Sequence, residues 1–181
     1  QSLEGLLFAG FDVMSLANNH SLNQGSEGLT FSLDLLRTNG IEAMSFSETA
    51  ILESNGLKLG FVAFDDTIAE LDPQLVTDAV TQLAQSTDIV ITSFHWGNEY
   101  TAVPSSRQEF LAQTAVLAGS RLVIGHHPHW VQTIEEYETD SGTAVVFYSL
   151  GNFVFDQIWS PETREEMVVT INLTEVGVES F

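Results

Sequence analysis

Short apolar runs alternate with amphipathic stretches along most of this 181-residue chain. The run Asp88–Phe94 (DIVITSF) carries no charge after its first residue, which is typical of a strand buried on both faces of a parallel sheet. The stretches that begin at Asp72 and Ser106 carry apolar residues at helical spacing. This order of elements predicts strand–helix–strand units, and therefore an α/β fold with a mostly parallel central sheet.

The helix ends are indicated by their capping residues. One helix is predicted from about residue 26 to 38, with leucines on one face. A second begins at Asp72-Pro73, because proline suits the first helical position. A third begins at Ser106 and Glu109, which have capping-box spacing, and ends at Gly119.

The strands divide the chain into two parts of different character. Asn55-Gly56 predicts a hairpin turn, and the pattern after residue 130 contains strands without intervening helices. We therefore expect one domain over residues 1–181, with a β-rich C-terminal part. The predicted strands are 12–17, 58–64, 88–94, 121–124, 131–137, 143–150 and 167–173.

The charge balance excludes several classes of partner. Against 25 acidic residues there are 5 Lys and Arg, which gives a net charge of −20. Nucleic-acid binding needs clustered cationic side chains, so we expect no nucleic-acid partner. Anionic lipid surfaces would repel the chain, and no apolar run reaches the ~18 residues of a membrane span, so we expect no membrane contact by this chain. With no cysteine, thiolate metal sites and disulfides are excluded.

All five histidines follow predicted strands. His20 follows the first strand and His95 the strand ending at Phe94, while three more follow the strand ending at Ile124. Ligands in open α/β sheets bind beyond the carboxyl ends of the strands, so these side chains are expected at one edge. The three further histidines are His126, His127 and His129.

Histidine is the commonest metal ligand, because its neutral ring offers a nitrogen lone pair. The segment His127-Pro128-His129 would place two rings on one side of an extended chain, and Asn19 adds an amide oxygen from another loop. Imidazole with oxygen ligands suits zinc, iron, manganese or nickel. Asp65 and Asp66 end another strand, where an acidic turn is the simpler interpretation.

Four ordered motifs stand out in the chain: SLANNH at 15–20, HWGNEY at 95–100, GHHPH at 125–129 and YSLGNFVFDQ at 148–157. Together they resemble the CapA family of poly-γ-glutamate capsule synthesis proteins, a branch of the calcineurin-like metallophosphoesterases. The resemblance covers nearly the whole chain.

The resemblance implies a site for two divalent transition-metal ions, manganese, zinc or iron. Its metal ligands would be Asn19, His95, His127 and His129, and His20 would act as the catalytic acid or hold the substrate oxyanion. Substrate contacts are expected from four further residues, with His126 in an outer position and Trp96 equally suited to packing. These four are Trp96, Glu99, His126 and Asn152.

The resemblance also implies that the chain starts late. The family pattern opens with Gly-Asp-x-Met-x-Gly on a strand and then Asn-Leu-Glu, and Gln1 lies after both. The expected fold is therefore a layered metallophosphoesterase-like domain without its first strand or strands and without a metal-binding aspartate. Because this loss would expose sheet edges, we expect the isolated chain to be unstable or to self-associate.

Two functions remain open at this point. The resemblance implies a part in making, exporting or anchoring a capsule polymer, through a metal-dependent hydrolase site of phosphoesterase type. The alternative is a non-catalytic module that binds the polymer or a partner in the capsule synthesis complex. Expected partners are an anionic polymer or phosphoester substrate and capsule synthase subunits. The expected location is outside the cytoplasmic membrane.

Overall fold

The computed structural model describes residues 2–140 and 142–181. Four helices and ten strands are found in this part of the chain, together with one 3₁₀ turn at Glu162–Arg164. In chain order they are α1 (Ser2–Ala9), β1 (Val13–Ser15), α2 (Gly25–Thr38), β2 (Glu42–Met44), β3 (Thr49–Ser54), β4 (Leu57–Asp65), α3 (Pro73–Ala84), β5 (Ile89–His95), α4 (Ser106–Ala118), β6 (Ser120–His126), β7 (Ile134–Thr139), β8 (Gly142–Phe147), β9 (Asn172–Thr174) and β10 (Gly177–Ser180).

The centre of the fold is a six-stranded sheet with the order β3-β4-β5-β6-β8-β7. Strands β4, β5, β6 and β8 are parallel, and the two outer strands, β3 and β7, pair antiparallel with their neighbours. Helices α3 and α4 supply the crossovers from β4 to β5 and from β5 to β6. The mostly parallel α/β sheet predicted from the sequence is confirmed.

One face of this sheet is covered by α3 and α4. Val76, Val80 and Leu83 of α3 pack with Leu111 and neighbouring residues of α4 on the sheet. The even-numbered residues of β4 and β5 lie beneath these helices. The odd-numbered residues of the same strands face the other side of the sheet, because side chains alternate along a strand. Most side chains of this core are fully buried, and the largest are Phe64, Phe94, Trp96 and Tyr148.

The opposite face is covered in two separate places. The small parallel sheet β1-β2 packs over β3 and β4 through Ala17, Met44 and Ala63, and α2 covers its outer side. The antiparallel pair β9-β10 contacts β6 and β8. Between the two covers runs a cleft of about 490 Å³ that leads to the carboxyl ends of β5 and β6.

Local signals account for most element ends. Asp72 caps α3, since its carboxylate accepts from the Gln74 backbone N–H at 2.9 Å, and Asn55-Gly56 forms the hairpin turn between β3 and β4. At α4 the capping box is formed by Ser105 and Gln108, one residue earlier than predicted, because Gln108 also suits the third helical position.

Four features differ from the prediction. Helix α1 and strands β2 and β10 were not predicted, since α1 buries no residue and the two strands are only three and four residues long. The predicted strand 167–173 forms a ladder only at its end, in β9. Its odd-numbered residues, from Met167 to Leu173, still pack on the sheet. The predicted alternation of buried and exposed residues is therefore correct, although most of the segment forms no strand. No helix among the described residues is long and apolar enough to cross a membrane.

Candidate metal centre

His95 and Asn19 bring the two sheets together at one point. His95 ends β5, and Asn19 lies in the loop after β1. The Nε2 atom of His95 lies 3.0 Å from Oδ1 of Asn19. Two donor atoms bound at right angles to one ion at about 2.1 Å lie about 3 Å apart, so the separation of this pair fits a shared metal as well as a hydrogen bond.

A second group of donors lies beside this pair. The side chains of Glu99, His127 and His129 each place a ligand atom within 4.8 Å of the others. The rings of His95 and His127 are 4.7 Å apart, which makes the two groups continuous. The predicted ligands Asn19, His95, His127 and His129 thus converge. Glu99, predicted as a substrate contact, lies among the metal-ligand donors.

The loops that carry these ligands have an unusual backbone. His127, His129 and Tyr100 have φ angles of 97°, 61° and 61°, in the left-handed region that non-glycine residues rarely adopt. The His-x-His pair is therefore brought together by turns and not by the extended segment expected from the sequence. The Tyr100 backbone N–H donates to the Pro128 carbonyl at 2.8 Å and ties the two loops to each other.

Asn152 orients one of the ligands. Its Oδ1 accepts from Nδ1 of His129 at 2.7 Å, and its Nδ2 donates to the Thr163 carbonyl at 3.0 Å. A ligating histidine typically donates its second ring N–H in this way, which leaves Nε2 free to bind metal. Both polar groups of Asn152 have partners within the protein, which favours a role in orienting His129; its predicted contact with substrate stays a prediction.

His20 lies on the exposed side of the cluster. Its backbone N–H donates to Oδ1 of Asn18 at 2.8 Å, which forms a tight turn. Nδ2 of Asn23 lies 3.1 Å from Nδ1 of His20. An amide N–H that donates to Nδ1 leaves the ring proton on Nε2. His20 is close enough to the cluster to lower the pKa of His95 and of His127.

Burial and mutual repulsion keep the central rings neutral. The pKa of His95 is lowered to about 3, chiefly by burial and then by its histidine neighbours, of which His127 has the largest effect. Burial also lowers the pKa of His127, although the carboxylates of Glu99 and Asp65 oppose this shift. Neutral rings offer their lone pairs to a metal without first losing a proton.

Two of the predicted substrate contacts lie outside the group of metal-ligand donors. Trp96 is fully buried, and its Nε1–H donates to the Tyr148 carbonyl at 2.9 Å, so the prediction of a substrate contact is corrected to a packing role. His126 is exposed and lines the cleft beside His95, where its predicted contact with substrate stays a prediction.

The acidic pair after β4 forms a turn, as its sequence favoured. Asp65 accepts from the backbone N–H groups of Thr67 and Ile68, both at 2.9 Å. Asp66 forms a two-pronged ion pair with Arg107, whose Nη2 lies 2.7 Å from Oδ1. Both carboxylates therefore have hydrogen-bond partners in the protein, although Asp65 lies near enough to His127 to act on its pKa.

Three residues near the site had no predicted role: Asn23, Gln108 and Gln132. Gln132 donates to the Thr101 carbonyl and accepts from Gln108, and so anchors the loop that carries Glu99. The only signal for these residues is that each lies a few positions from a motif, which does not distinguish an orienting residue from a neighbour.

The family follows from comparison with known proteins. The family model of the bacterial capsule synthesis protein PGA_cap matches residues 1–157. The chain belongs to this family. It is 31% identical over 202 residues to the PGA biosynthesis protein CapA of Bacillus subtilis (strain 168), covering 100% of the chain and 52% of that relative. It is 28% identical over 201 residues to the capsule biosynthesis protein CapA of Bacillus anthracis, covering 98% and 48%. The chain thus spans about half the length of these relatives.

Solved structures show the same fold at low identity. A phosphatase from Mycoplasma pneumoniae matches with a TM-score of 0.58 and 17% identity, over 82% of this chain and 53% of the other. The NAD nucleotidase of Haemophilus influenzae matches with a TM-score of 0.53 and 14% identity, over 80% and 35%. The fold is therefore that of phosphatase- and nucleotidase-like proteins, which agrees with the metallophosphoesterase-like layers predicted from the sequence.

Proposed function

We propose that this family member serves capsule polymer synthesis, export or anchoring through a metal-dependent hydrolase site of phosphoesterase type. The observation that carries the proposal is the meeting of five donor side chains from separate loops at one edge of a phosphatase-like fold: Asn19, His95, Glu99, His127 and His129. Strained ligand loops support it, because residues held in rarely adopted conformations cluster at functional sites.

The donor set fits two divalent transition-metal ions. Asn19 and His95 would hold one, Glu99 and His129 the other, and His127 lies between the two groups. Nitrogen with oxygen ligands suits manganese, zinc or iron. When bound, such ions polarise a phosphoryl oxygen and lower the pKa of water.

His20 supplies the proton in this proposal. Hydrolysis forms a bond from water oxygen to phosphorus and breaks the bond to the leaving oxygen, which then needs one proton. The imidazolium form of His20 would donate that proton from Nε2 and become neutral, because a ring that is already neutral would be left as imidazolate. Nδ1 stays in contact with the side-chain amide of Asn23. Water loses a proton in the same reaction, so the ring is restored and no proton is gained or lost overall.

The substrate in this proposal is an anionic phosphoester or the capsule polymer itself. The proposed partners are subunits of the capsule synthase, and the proposed location is outside the cytoplasmic membrane. Support comes from the two relatives whose names include capsule or PGA biosynthesis.

The proposal is tested by turnover of a generic phosphodiester, a phosphomonoester and a γ-glutamyl peptide in the presence of manganese or zinc. General acid catalysis contributes ~10²–10⁴-fold, so His20→Ala should lower the rate by about 100-fold or more at unchanged metal content. Asn23→Ala should have a smaller effect, because the ring remains. Wild-type turnover no higher than that of His20→Ala would contradict the catalytic proposal.

A non-catalytic binding module is the second proposal, because a fold of this kind does not by itself fix a reaction. Polymer binding that persists in a His127→Ala, His129→Ala variant, with no turnover by the wild type, would support this alternative.

A further inference from the structure

A group of exposed apolar side chains lies directly beside the metal centre. The segment 153–159, here called the apolar loop, exposes five large apolar residues within seven positions. Exposed apolar patches of this kind mark ligand or partner sites, because solvated apolar surface is unfavourable unless something covers it. The five are Phe153, Val154, Phe155, Ile158 and Trp159, with exposed fractions of 62%, 86%, 53%, 67% and 60%.

The apolar loop is held in place by polar contacts at its base. Arg164 donates through Nε to the Ile158 carbonyl at 2.9 Å. Gln157 donates to the Tyr100 hydroxyl at 3.1 Å, which connects the loop to the segment after β5. The exposed side chains therefore project from an anchored segment.

Aromatic contacts connect this loop to a metal-ligand donor. The ring of Phe155 stacks on that of His129 with centroids 5.3 Å apart, and Tyr100 stacks on the same ring at 5.7 Å. Trp159 meets Tyr100 edge to face at 4.7 Å. A ligand that lies against these rings is therefore adjacent to the centre as well.

The cationic side chain at the base of the apolar loop is Arg164, whose guanidinium is already engaged by the Ile158 carbonyl. The chain has five Lys and Arg, and Arg121 lies near the start of β6, about 16 Å along the strand from His126. Recognition of an anionic group would thus depend on the metal centre itself. The other four bond outside the histidine cluster: Arg37 to Glu48, Lys58 to Glu53, Arg107 to Asp66 and Arg164 to the Ile158 carbonyl.

We propose that the apolar loop, with Tyr100, binds a ring in the substrate, beside the anionic group that the metal centre holds. The inference rests on the proposed function and narrows it to substrates that join an anionic ester to an aromatic or other flat apolar ring. Phe155 and Trp159 determine this specificity, since they combine exposed rings with contacts to Tyr100 and His129.

A substrate explains this surface better than a membrane does. The net charge of −20 opposes approach to an anionic bilayer. The rings of the loop also turn toward His129 and Tyr100, so part of the aromatic surface faces the site and not a distant partner.

The test compares phenylphosphonate with methylphosphonate, two non-hydrolysable anions that differ in the ring. Binding to manganese-loaded protein is measured by calorimetry. We expect phenylphosphonate to bind about 5-fold more tightly, a factor that one aromatic pair typically supplies. Trp159→Ala should bring the ratio of the two affinities close to one, while the metal content stays unchanged.

The matched control is Leu117→Ala, which removes an exposed apolar side chain from α4 and should keep the 5-fold ratio. Equal binding of both phosphonates by metal-loaded wild type would overturn the ring proposal and leave the metal centre standing. Protein that holds no metal and binds neither anion would contradict both proposals. Binding to phosphatidylcholine vesicles, lost in Trp159→Ala at an unchanged phosphonate ratio, would assign the loop to a membrane instead.

Discussion

The two faces of the central sheet are built in opposite ways. Under α3 and α4 the sheet is sealed, and Phe94, Trp96 and Tyr148 stack there with no exposed surface. On the other face two small sheets leave a cleft of about 490 Å³, lined by residues such as Ile91 and Ile124. The helical face is sealed, and the other face is packed in part and keeps an open cleft that reaches His95.

Two consecutive residues place their side chains on opposite faces of the sheet. His95 and Trp96 are neighbours, and their side chains point to opposite faces as strand geometry requires. Gly125 on β6 allows this arrangement, because a Cβ there would lie 2.1 Å from the Tyr148 carbonyl oxygen and 2.4 Å from Nε1 of Trp96. The metal-binding edge is thus supported directly by the sealed core.

The largest expected effect is on the sealed face. Trp96→Ala removes a fully buried ring that stacks on Phe94 at 4.5 Å and donates to the Tyr148 carbonyl. We expect it to lower the free energy of unfolding by about 3–5 kcal/mol, measured by urea denaturation.

Ile91→Ala, on the cleft face, is the matched comparison. Ile91 is 7% exposed and already borders open space, so its loss should cost about 2 kcal/mol, the lower end for such a change. An equal or larger cost at Ile91 than at Trp96 would show that the cleft face is packed as tightly as the helical face.

A smaller effect is expected from pH. In metal-free protein the pKa of His95 is about 3, below its unfolded value of 6.5, so the unfolded state binds more protons between these values. Stability from this residue is complete above pH 6.5 and is lost as the pH falls toward 3. Between pH 7 and about 5.7, wild type should lose about 1 kcal/mol more than His95→Gln, measured by urea denaturation with a chelator present. Parallel curves for the two proteins would refute the buried, neutral ring.

Much of the fold could be predicted because its signals are local. Asp72-Pro73 starts α3, Asn55-Gly56 makes the hairpin, and the apolar run after Asp88 is β5. Pairing between distant segments could not be predicted in the same way. Residues 167–171 show the right alternation for a strand, yet they pack on the sheet without forming a ladder.

The sequence predicted which side chains meet at the candidate site better than it predicted what each of them does there. Strand-end positions indicated which histidines meet, since parallel strands place their carboxyl ends together. Roles depend on loop conformation: Glu99 reaches the ligands and Asn152 lies behind His129 because of turns that the sequence does not reveal. The left-handed conformations of Tyr100, His127 and His129 are the physical reason.

The most direct test of the metal centre is elemental analysis of metal bound per chain, for wild type and for a His127→Ala, His129→Ala variant. Both should first be loaded with manganese or zinc and shown by circular dichroism to be folded. We predict close to two transition-metal ions in the wild type and a clear loss in the folded variant. A wild type that binds no metal after loading, or a variant that retains the full amount, would contradict the assignment of this edge as a metal centre.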